Sequence, residues 1–167
     1  MAERFVITAL GTTAGALLLA PILADPTPRL IWNASASTPR GLYRLSPGAM
    51  PNLRDWVVVQ PPADIRTLAA ERHYLPANVP LVKRVAAVAG QHVCGNGVHL
   101  LVDGFPVARQ RTHDPSGRAL PRWRGCRRLG SGEFLVLGET ADSFDSRYFG
   151  PVRGEALLGK AVMLWAR

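Results

Sequence analysis

Hydrophobic and polar positions divide the chain into an apolar N-terminal stretch and a longer region of short apolar runs. Residues 5–24 form a run of 20 positions without a charged side chain. A helix of that length crosses a bilayer core of about 30 Å. A cleavable signal peptide has a shorter apolar stretch and ends in a small-x-small motif, which Ile22-Leu23-Ala24 matches poorly. The pattern therefore favours a retained membrane anchor, with a cleaved signal peptide as the alternative.

After this stretch, short runs rich in β-branched and aliphatic residues alternate with turns. Such runs predict strands at 56–59, 81–88, 134–137 and 161–165. Since the apolar stretch is continuous and these runs are short, the pattern predicts a mostly β domain on a single anchor.

The turn signals refine this prediction. Asp103-Gly104 separates the apolar runs 98–102 and 105–107, which predicts a hairpin with a type I′ turn. One short helix is predicted near residues 64–72. The polar, Arg-rich region 109–130 is expected to form an extended loop or ribbon.

Composition agrees with a folded, loop-rich β domain. The 167 residues are 47% hydrophobic and 19% charged, so the chain can bury a core. The 14 Pro and 16 Gly residues suit a structure with many turns. No heptad run, Gly-X-Y period or longer repeat is visible, which excludes coiled coils, collagen and solenoids.

The charge is strongly basic, at +8. Such a balance is typical of proteins that bind nucleic acid or anionic lipid, although many basic chains bind neither. The arginines are scattered apart from a cluster between residues 118 and 128, which we expect to be a solvated face. The alternatives are a nucleic-acid site and a docking site for anionic headgroups or a partner protein. Only Lys83 and Lys160 are lysines, so each is a stronger candidate for chemistry than in a lysine-rich chain.

The two cysteines are Cys94 and Cys126. A disulfide between them is expected to be structural and implies an oxidising compartment, which would place the N-terminus in the cytoplasm and the body outside. The alternative is a pair of free thiols. Their spacing from the histidines matches no ordinary zinc pattern, so no metal is expected.

Lys83 is the best candidate for a general base. Strand alternation places Leu81, Lys83 and Val85 on one face, and burial there would lower the pKa of the amine. A neutral amine is a competent base, whereas an arginine stays charged. The alternative is a lysine that reaches solvent from a half-buried strand.

Two further segments carry candidate chemistry. Ser35 and Ser37 point the same way if their segment is extended, so that one can attack while the other donates a hydrogen bond. A polar linker beside the membrane is the alternative for that segment. Asp145 and Arg147 can pair across a loop, the alternative being a surface salt bridge of small value. The chain has no Gly-x-Ser-x-Gly, His-Glu-x-x-His, P-loop or Gly-x-Gly-x-x-Gly motif.

Together and in this order, three segments resemble the type I signal peptidases, which are serine–lysine proteases. Residues 33–43 have the short N-x-S-x-S-x-P-x-G-L-Y form of the conjugative-transfer branch, the TraF-type peptidases. Residues 82–85, followed by Ala89-Gly90, are similar to the K-R-V…G box of the family. Residues 142–150 are similar to its N-S-x-D-S-R-Y-x-G box.

The resemblance implies a role for each matching residue. Ser37 would be the nucleophile and Lys83 the general base. The Ser35 hydroxyl and the Ser37 backbone N–H would form the oxyanion hole, and Ser143 would orient Lys83. The residues that would brace this site are Asp145 and Arg147.

The chain departs from the family pattern at two places. Glu139 and Thr140 stand where the wider family usually has Asp and Asn, so they receive no role. Pro39 follows the nucleophile one residue sooner than in housekeeping signal peptidases, which favours the conjugative branch.

The resemblance also implies an architecture and an activity. Residues 1–28 would anchor the protein in the bacterial inner membrane by a single transmembrane helix, and residues 29–167 would form a signal-peptidase-like antiparallel β domain in the periplasm. The activity would be that of a serine endopeptidase that matures a pilin precursor for conjugation, by hydrolysis or by joining peptide ends. Its partners would be a membrane-tethered prepilin, the bilayer and components of the conjugation or type IV secretion apparatus, without a cofactor or nucleic acid.

Three other functions remain open from the sequence. The first is a general type I signal peptidase. The second, from a different class, is a non-catalytic assembly subunit of the conjugative transfer apparatus. The third is a basic DNA-contacting protein, which predicts binding that weakens steeply with salt.

Overall fold

The structure, a computed structural model, describes residue 6, residues 10–15 and residues 28–167. Residue 6 and residues 10–15 are helical. Most of the predicted anchor over residues 5–24 lies outside the described residues. Within the part of the chain that is described, no helix combines the length and apolar character needed to cross a membrane.

Residues 28–167 form a mostly β body, as the sequence predicts. Its strands are β1 (Leu30–Asn33), β2 (Gly41–Ser46), β3 (Trp56–Val59), β4 (Leu81–Ala87), β5 (His92–Asn96), β6 (His99–Val102), β7 (Phe105–Arg109), β8 (Arg124–Arg128), β9 (Glu133–Leu137), β10 (Val152–Arg153) and β11 (Leu157–Ala166). Its helices are α1 (Ala63–Glu71), α2 (Ser146–Phe149) and a 3-10 turn (Gly154–Ala156).

The larger sheet has seven strands in the order β1-β2-β11-β3-β4-β9-β10, and every pair is antiparallel. Strand β11 lies between β2 and β3 and pairs with both. Strand β4, which carries Lys83, lies between β3 and β9. The sheet therefore holds the two segments with candidate chemistry, the β1–β2 connection and β4, in one continuous framework.

The smaller sheet has four strands in the order β7-β6-β5-β8. The turn between β6 and β7 contains Asp103 at φ 49° and Gly104 at φ 86°. Both residues take the left-handed conformation that a type I′ turn requires, so the predicted hairpin is confirmed. Cys94 on β5 lies directly opposite Cys126 on β8, and a disulfide joins them.

Within residues 28–167, the core consists of three clusters of apolar side chains. One joins the two sheets, with Ala87 and Leu135 packing against Val93 and Leu100. The other two lie on opposite faces of the larger sheet. One contains Val57, Val59, Val85 and Val136, and the other contains Tyr43, Leu45, Val58 and Val82. Because β3 and β4 contribute to both, these central strands are covered on each face, as their almost uninterrupted apolar sequences indicate.

The predicted elements agree with the observed ones where the apolar pattern is strong. The strand at 56–59 is β3, the run 81–88 forms β4 as Leu81–Ala87, and the helix near 64–72 is α1. Strands β1, β2, β5, β8 and β10 were not predicted. Of these, β8 lies inside the Arg-rich region that was expected to be a loop or ribbon.

Candidate active site

The connection between β1 and β2, residues 34–40, carries the two candidate serines, and we call it the serine loop. Residues 36 and 37 form a turn and residue 38 a bend, so the segment is not extended as expected. The turn nevertheless brings the two hydroxyls together, with the Oγ atoms of Ser35 and Ser37 3.1 Å apart. Ser35 is exposed and Ser37 is half-buried.

Lys83 reaches this loop from the centre of the sheet. Its Nζ lies 2.7 Å from Ser37 Oγ and 2.8 Å from Ser143 Oγ. The residue is 2% exposed, and it lies opposite the fully buried Val57. Burial among apolar side chains lowers the pKa of Lys83 to about 8, with the Arg147 guanidinium acting in the same direction and the Asp145 and Asp142 carboxylates opposing it. A substantial fraction of this amine is therefore neutral at mildly alkaline pH.

Ser143 lies on the connection between β9 and α2, and a buried ion pair fixes this connection. The Asp145 carboxylate accepts a hydrogen bond from the Gly138 backbone N–H (2.8 Å) and pairs with the Arg147 guanidinium. Arg147 Nη1 also donates to the Ser143 carbonyl (3.3 Å). Burial raises the pKa of Asp145, and the neighbouring cations Arg147 and Lys83 oppose that shift. The pair thus holds the backbone at Gly138 and at Ser143, whose hydroxyl contacts Lys83.

Asp145 also shapes the start of α2. Its side chain accepts a hydrogen bond from the backbone N–H of Arg147 at 3.1 Å, as an N-cap residue does. The same carboxylate therefore starts the helix that carries Arg147 and pairs with the Arg147 side chain.

Gly138 is a residue of the site to which the sequence reasoning gave no role. A Cβ atom at this position would lie 2.1 Å from Ser143 Oγ and 2.8 Å from the Ser37 carbonyl oxygen. The next residue, Glu139, donates its backbone N–H to the same Ser37 carbonyl at 2.8 Å. Only glycine lets the end of β9 approach both serines so closely. The signal in the sequence was a glycine directly after the predicted strand at 134–137 and four residues before the segment 142–150.

Glu139 and Thr140 stand where the family usually has Asp and Asn, and both side chains make structural contacts. The Glu139 carboxylate pairs with Arg84 at 3.2 Å on the surface. Thr140 donates a hydrogen bond to Asp142 and so lowers the pKa of that carboxyl group. Among the described residues, no hydrogen bond joins either of these side chains to Ser37 or Lys83.

A groove of about 630 Å³ opens beside the two serines and the lysine. Ser35, Ser37, Lys83 and Ser143 all line it. Much of its wall is apolar and includes Ile31, Trp32, Leu75, Val79, Leu81 and Phe144. A groove of this size accommodates several residues of an extended, largely apolar peptide.

One wall of the groove is held by a cluster of polar contacts. The buried Asp114 carboxylate accepts hydrogen bonds from the Tyr74 hydroxyl and from Arg118 Nε, the latter at 2.7 Å. Burial alone would raise the pKa of Asp114, but these bonds outweigh it and the pKa is lowered. Arg118 also donates to the Arg72 carbonyl (3.2 Å), so the loop around residue 114 is tied to the segment that follows α1.

The described residues contain no group of three or more His, Cys, Asp or Glu side chains that could hold a metal ion. The arrangement instead combines a hydroxyl, a buried amine in hydrogen-bond contact with it, and a peptide-sized groove. These are the parts that an acyl transfer through a serine ester needs.

Comparisons with known proteins show which family the chain resembles. The family model for signal peptidase, peptidase S26, matches residues 2–166. The conjugal transfer protein TraF of Agrobacterium fabrum (strain C58) is 33% identical over 171 residues, covering 96% of both chains. The plasmid transfer protein TraF of Escherichia coli is 31% identical over 145 residues, covering 80% of this chain and 82% of its own.

Among solved structures, a signal peptidase I from Enterococcus faecalis V583 aligns with 67% of this chain and 97% of its own. The identity is 19% and the TM-score is 0.37. At this score the superposition adds nothing to what the sequence matches establish.

Proposed function

The chain belongs to the signal peptidase family, peptidase S26, in its TraF-type branch, and from this premise we propose that it is a serine endopeptidase with Ser37 as nucleophile and Lys83 as general base. The observation that carries the proposal is the 2.7 Å separation between Lys83 Nζ and Ser37 Oγ. The second support is the burial that lowers the pKa of Lys83 to about 8. A base must be both within reach and able to lose its proton near working pH, and Lys83 meets both conditions.

In the first half of the reaction, neutral Lys83 accepts the hydroxyl proton of Ser37. The Ser37 Oγ then forms a bond to the carbonyl carbon of the peptide, and the carbonyl oxygen becomes an oxyanion. The Ser35 hydroxyl and the Ser37 backbone N–H donate hydrogen bonds to that oxyanion. Preorganised donors of this kind matter because losing one typically raises the barrier by about 3 kcal/mol.

In the second half, the C–N bond of the peptide breaks and the leaving amine takes the proton from the Lys83 ammonium. The substrate's acyl group is now esterified to Ser37. Water, deprotonated by Lys83, attacks the ester carbon, and the bond between that carbon and Ser37 Oγ breaks. Ser37 Oγ takes the proton back from the Lys83 ammonium, and the acyl group leaves as a carboxylic acid. If the amine of a peptide attacks instead, the product is a new peptide bond, so the same site supports hydrolysis or the joining of peptide ends.

Ser143, Asp145 and Arg147 support this chemistry by positioning Lys83. The Ser143 hydroxyl lies 2.8 Å from Lys83 Nζ and orients the amine toward Ser37. The Asp145–Arg147 pair holds the connection on which Ser143 sits.

We further propose that the substrate is the membrane-tethered precursor of a conjugative pilin. The support comes from the TraF relatives, which are named as conjugal and plasmid transfer proteins. The groove beside the serines, with its largely apolar wall, suits an extended apolar segment of such a precursor. The apolar run at residues 5–24 would hold the enzyme in the inner membrane, with residues 29–167 in the periplasm beside their substrate.

The test is co-expression of the full chain with a candidate pilin precursor, followed by mass spectrometry of the membrane fraction. Ser37→Ala, Lys83→Ala and Lys83→Arg should each abolish processing while the protein accumulates normally. Lys160→Arg serves as the matched control, because this lysine pairs with Asp55 away from the groove residues and should leave processing unchanged. A circular product differs from the hydrolysed one by the mass of one water.

This experiment and a complementation experiment separate the competing functions. Normal processing in the Ser37 and Lys83 variants contradicts the enzyme and favours a non-catalytic assembly subunit. A general signal peptidase should rescue cells that lack the housekeeping enzyme, whereas a dedicated pilin peptidase should not.

A further inference from the structure

The serine loop is short and leaves the nucleophile close to a rigid residue. Ser37 is separated from Pro39 by Thr38 alone, and the loop spans only residues 34–40 between two paired strands. A loop of this kind has few ways to adjust the direction of the Ser37 side chain. The position of Ser37 therefore depends on what the loop's own side chains and backbone are bonded to.

The Asn33 side chain closes the loop from within. Its Nδ2 lies 3.1 Å from each of three carbonyl oxygens, those of Ser35, Thr38 and Pro39. Its Oδ1 accepts the backbone N–H of Ser35 at 3.2 Å. Asn33 is itself 6% exposed and sits at the end of β1. One buried amide thus bonds the loop on both sides of Ser37.

The Thr38 side chain ties the closed loop to the strand that carries the amine. Its hydroxyl donates to the Val82 carbonyl at 2.8 Å, and Thr38 is 1% exposed. Thr38 follows Ser37 directly, and Val82 precedes Lys83 directly. The bond therefore joins the backbone beside the hydroxyl to the backbone beside the amine.

We propose that Asn33 and Thr38 form a positioning clasp that sets the separation between Ser37 Oγ and Lys83 Nζ. Neither residue touches the reacting atoms. Asn33 makes the loop rigid, and Thr38 fixes the rigid loop to β4. The inference rests on the proposed function, since it concerns the distance over which the proton moves.

The clasp has a predictable energetic consequence. Proton transfer and attack both require the reacting atoms in near-contact geometry, and a misplacement of about 1 Å can cost about 100-fold in rate. Removing the Thr38 hydroxyl leaves the loop attached on its Glu139 side, where the Ser37 carbonyl is bonded. The serine loop should therefore stay folded but lose its fixed position beside β4.

The first test compares Thr38→Val with Thr38→Ser in the full chain, with a peptide that spans the cleavage site as substrate. Valine keeps the shape and removes the donor, so kcat should fall about 10- to 100-fold while KM stays close to that of the wild type. Serine restores the donor and should recover most of the lost kcat. An equal kcat for the valine variant and the wild type overturns the clasp.

The pH profile separates positioning from general stability. In the wild type, kcat/KM should rise with pH around a midpoint of about 8, the pKa of Lys83, and level off at higher pH. Loosening the loop admits water to the amine, so in Thr38→Val this rise should move to higher pH, toward the ordinary lysine value. If kcat falls but the profile stays in place and the loss matches the fraction of unfolded protein, Thr38 is merely structural and the inference is wrong.

Asn33→Asp tests the clasp independently, in case the Thr38→Val protein does not accumulate. The carboxylate keeps the size of the amide but removes the donor that faces three carbonyl oxygens, so kcat should fall more than KM rises. Wild-type kcat in Asn33→Asp overturns the clasp. A wild-type enzyme with no processing activity overturns the proposed function itself, which makes the two failures distinguishable.

Discussion

At the scale of the residue, Lys83 is the group whose burial works against the fold. An ordinary lysine remains protonated to about pH 10, and here burial lowers the pKa to about 8. Between these two values the unfolded chain binds a proton that the folded chain does not. Stability therefore rises as the pH rises from about 8 to about 10.5, and below about 8 the buried ammonium destabilises the fold by a constant amount.

Because the buried ammonium destabilises the fold below about pH 8, Lys83→Met should stabilise the protein while abolishing activity. Methionine fills a similar volume without a charge, so the free energy of unfolding at pH 7 should increase, by up to about 3 kcal/mol before the lost hydrogen bonds to Ser37 and Ser143 are subtracted. The gain should shrink between pH 8 and 10.5. Urea unfolding at several pH values measures it.

The matched control is Lys160→Met, which removes a lysine that pairs with Asp55 and is about one-third exposed. It should show no comparable gain at pH 7. A lower stability of Lys83→Met than of the wild type at every pH would contradict the burial argument for Lys83.

At the scale of the element, the end of β9 brings the third segment against the serine loop. Gly138 is where this happens, since a side chain there would overlap Ser143 Oγ and crowd the Ser37 carbonyl. The Asp145 carboxylate holds the Gly138 backbone N–H at 2.8 Å, so this end of the strand cannot simply move aside.

Gly138→Ala should therefore impair catalysis through a single methyl group. The added Cβ displaces the Ser143 hydroxyl from Lys83, which should lower kcat by about 10-fold or more with the fold retained. Peptide cleavage kinetics and circular dichroism together measure this. Gly132→Ala is the control, because a Cβ there meets no atom within 4 Å, although its φ of 72° adds some backbone strain. Equal kcat in Gly138→Ala and the wild type would show that the contact is not needed.

The elements that the sequence predicted are those in which apolar residues alternate with polar ones or form a continuous run. β3 and β4 were identifiable because they are covered on both faces, and the Asp103-Gly104 turn because its two residues tolerate positive φ. β8 could not be identified in this way, since all of its residues are exposed and three of its five are arginines. It becomes a strand by pairing with β5, which no local pattern encodes.

The same distinction applies to the candidate site. Alternation along β4 was enough to nominate Lys83 as a buried amine. The amide contacts of Asn33 and the close approach of Gly138 to Ser37 depend on how separate segments meet in space, so residue types alone did not indicate them. The serines were nominated from an extended segment, whereas a turn brings their hydroxyls together.

At the scale of the whole molecule, the disulfide secures the smaller sheet. Cys94 and Cys126 are 32 positions apart and belong to its two neighbouring strands β5 and β8. The closed loop restricts the unfolded chain, which in the chain-entropy model stabilises the fold by about 4 kcal/mol.

Replacing both cysteines by serine should lower the free energy of unfolding by about 2 to 4 kcal/mol. Since the Lys83–Ser37 contact belongs to the larger sheet, peptide cleavage at 25 °C should change little. Urea unfolding of the double variant, with and without reductant, measures the first effect, and reductant should change only the wild type. A double variant as stable as the oxidised wild type would show that the bond contributes nothing.

The position of β11 has a consequence for when the protein becomes active. In the larger sheet, β11 is the strand that connects β2 with β3. The hydroxyl arrives with the β1–β2 hairpin and the amine with β4, but residues 157–166 must be synthesised before the sheet can join them. A nascent chain that still lacks this strand cannot form the sheet that holds the Ser37 hydroxyl beside the Lys83 amine, so under the proposed function it would be inactive until residues 157–166 have been added.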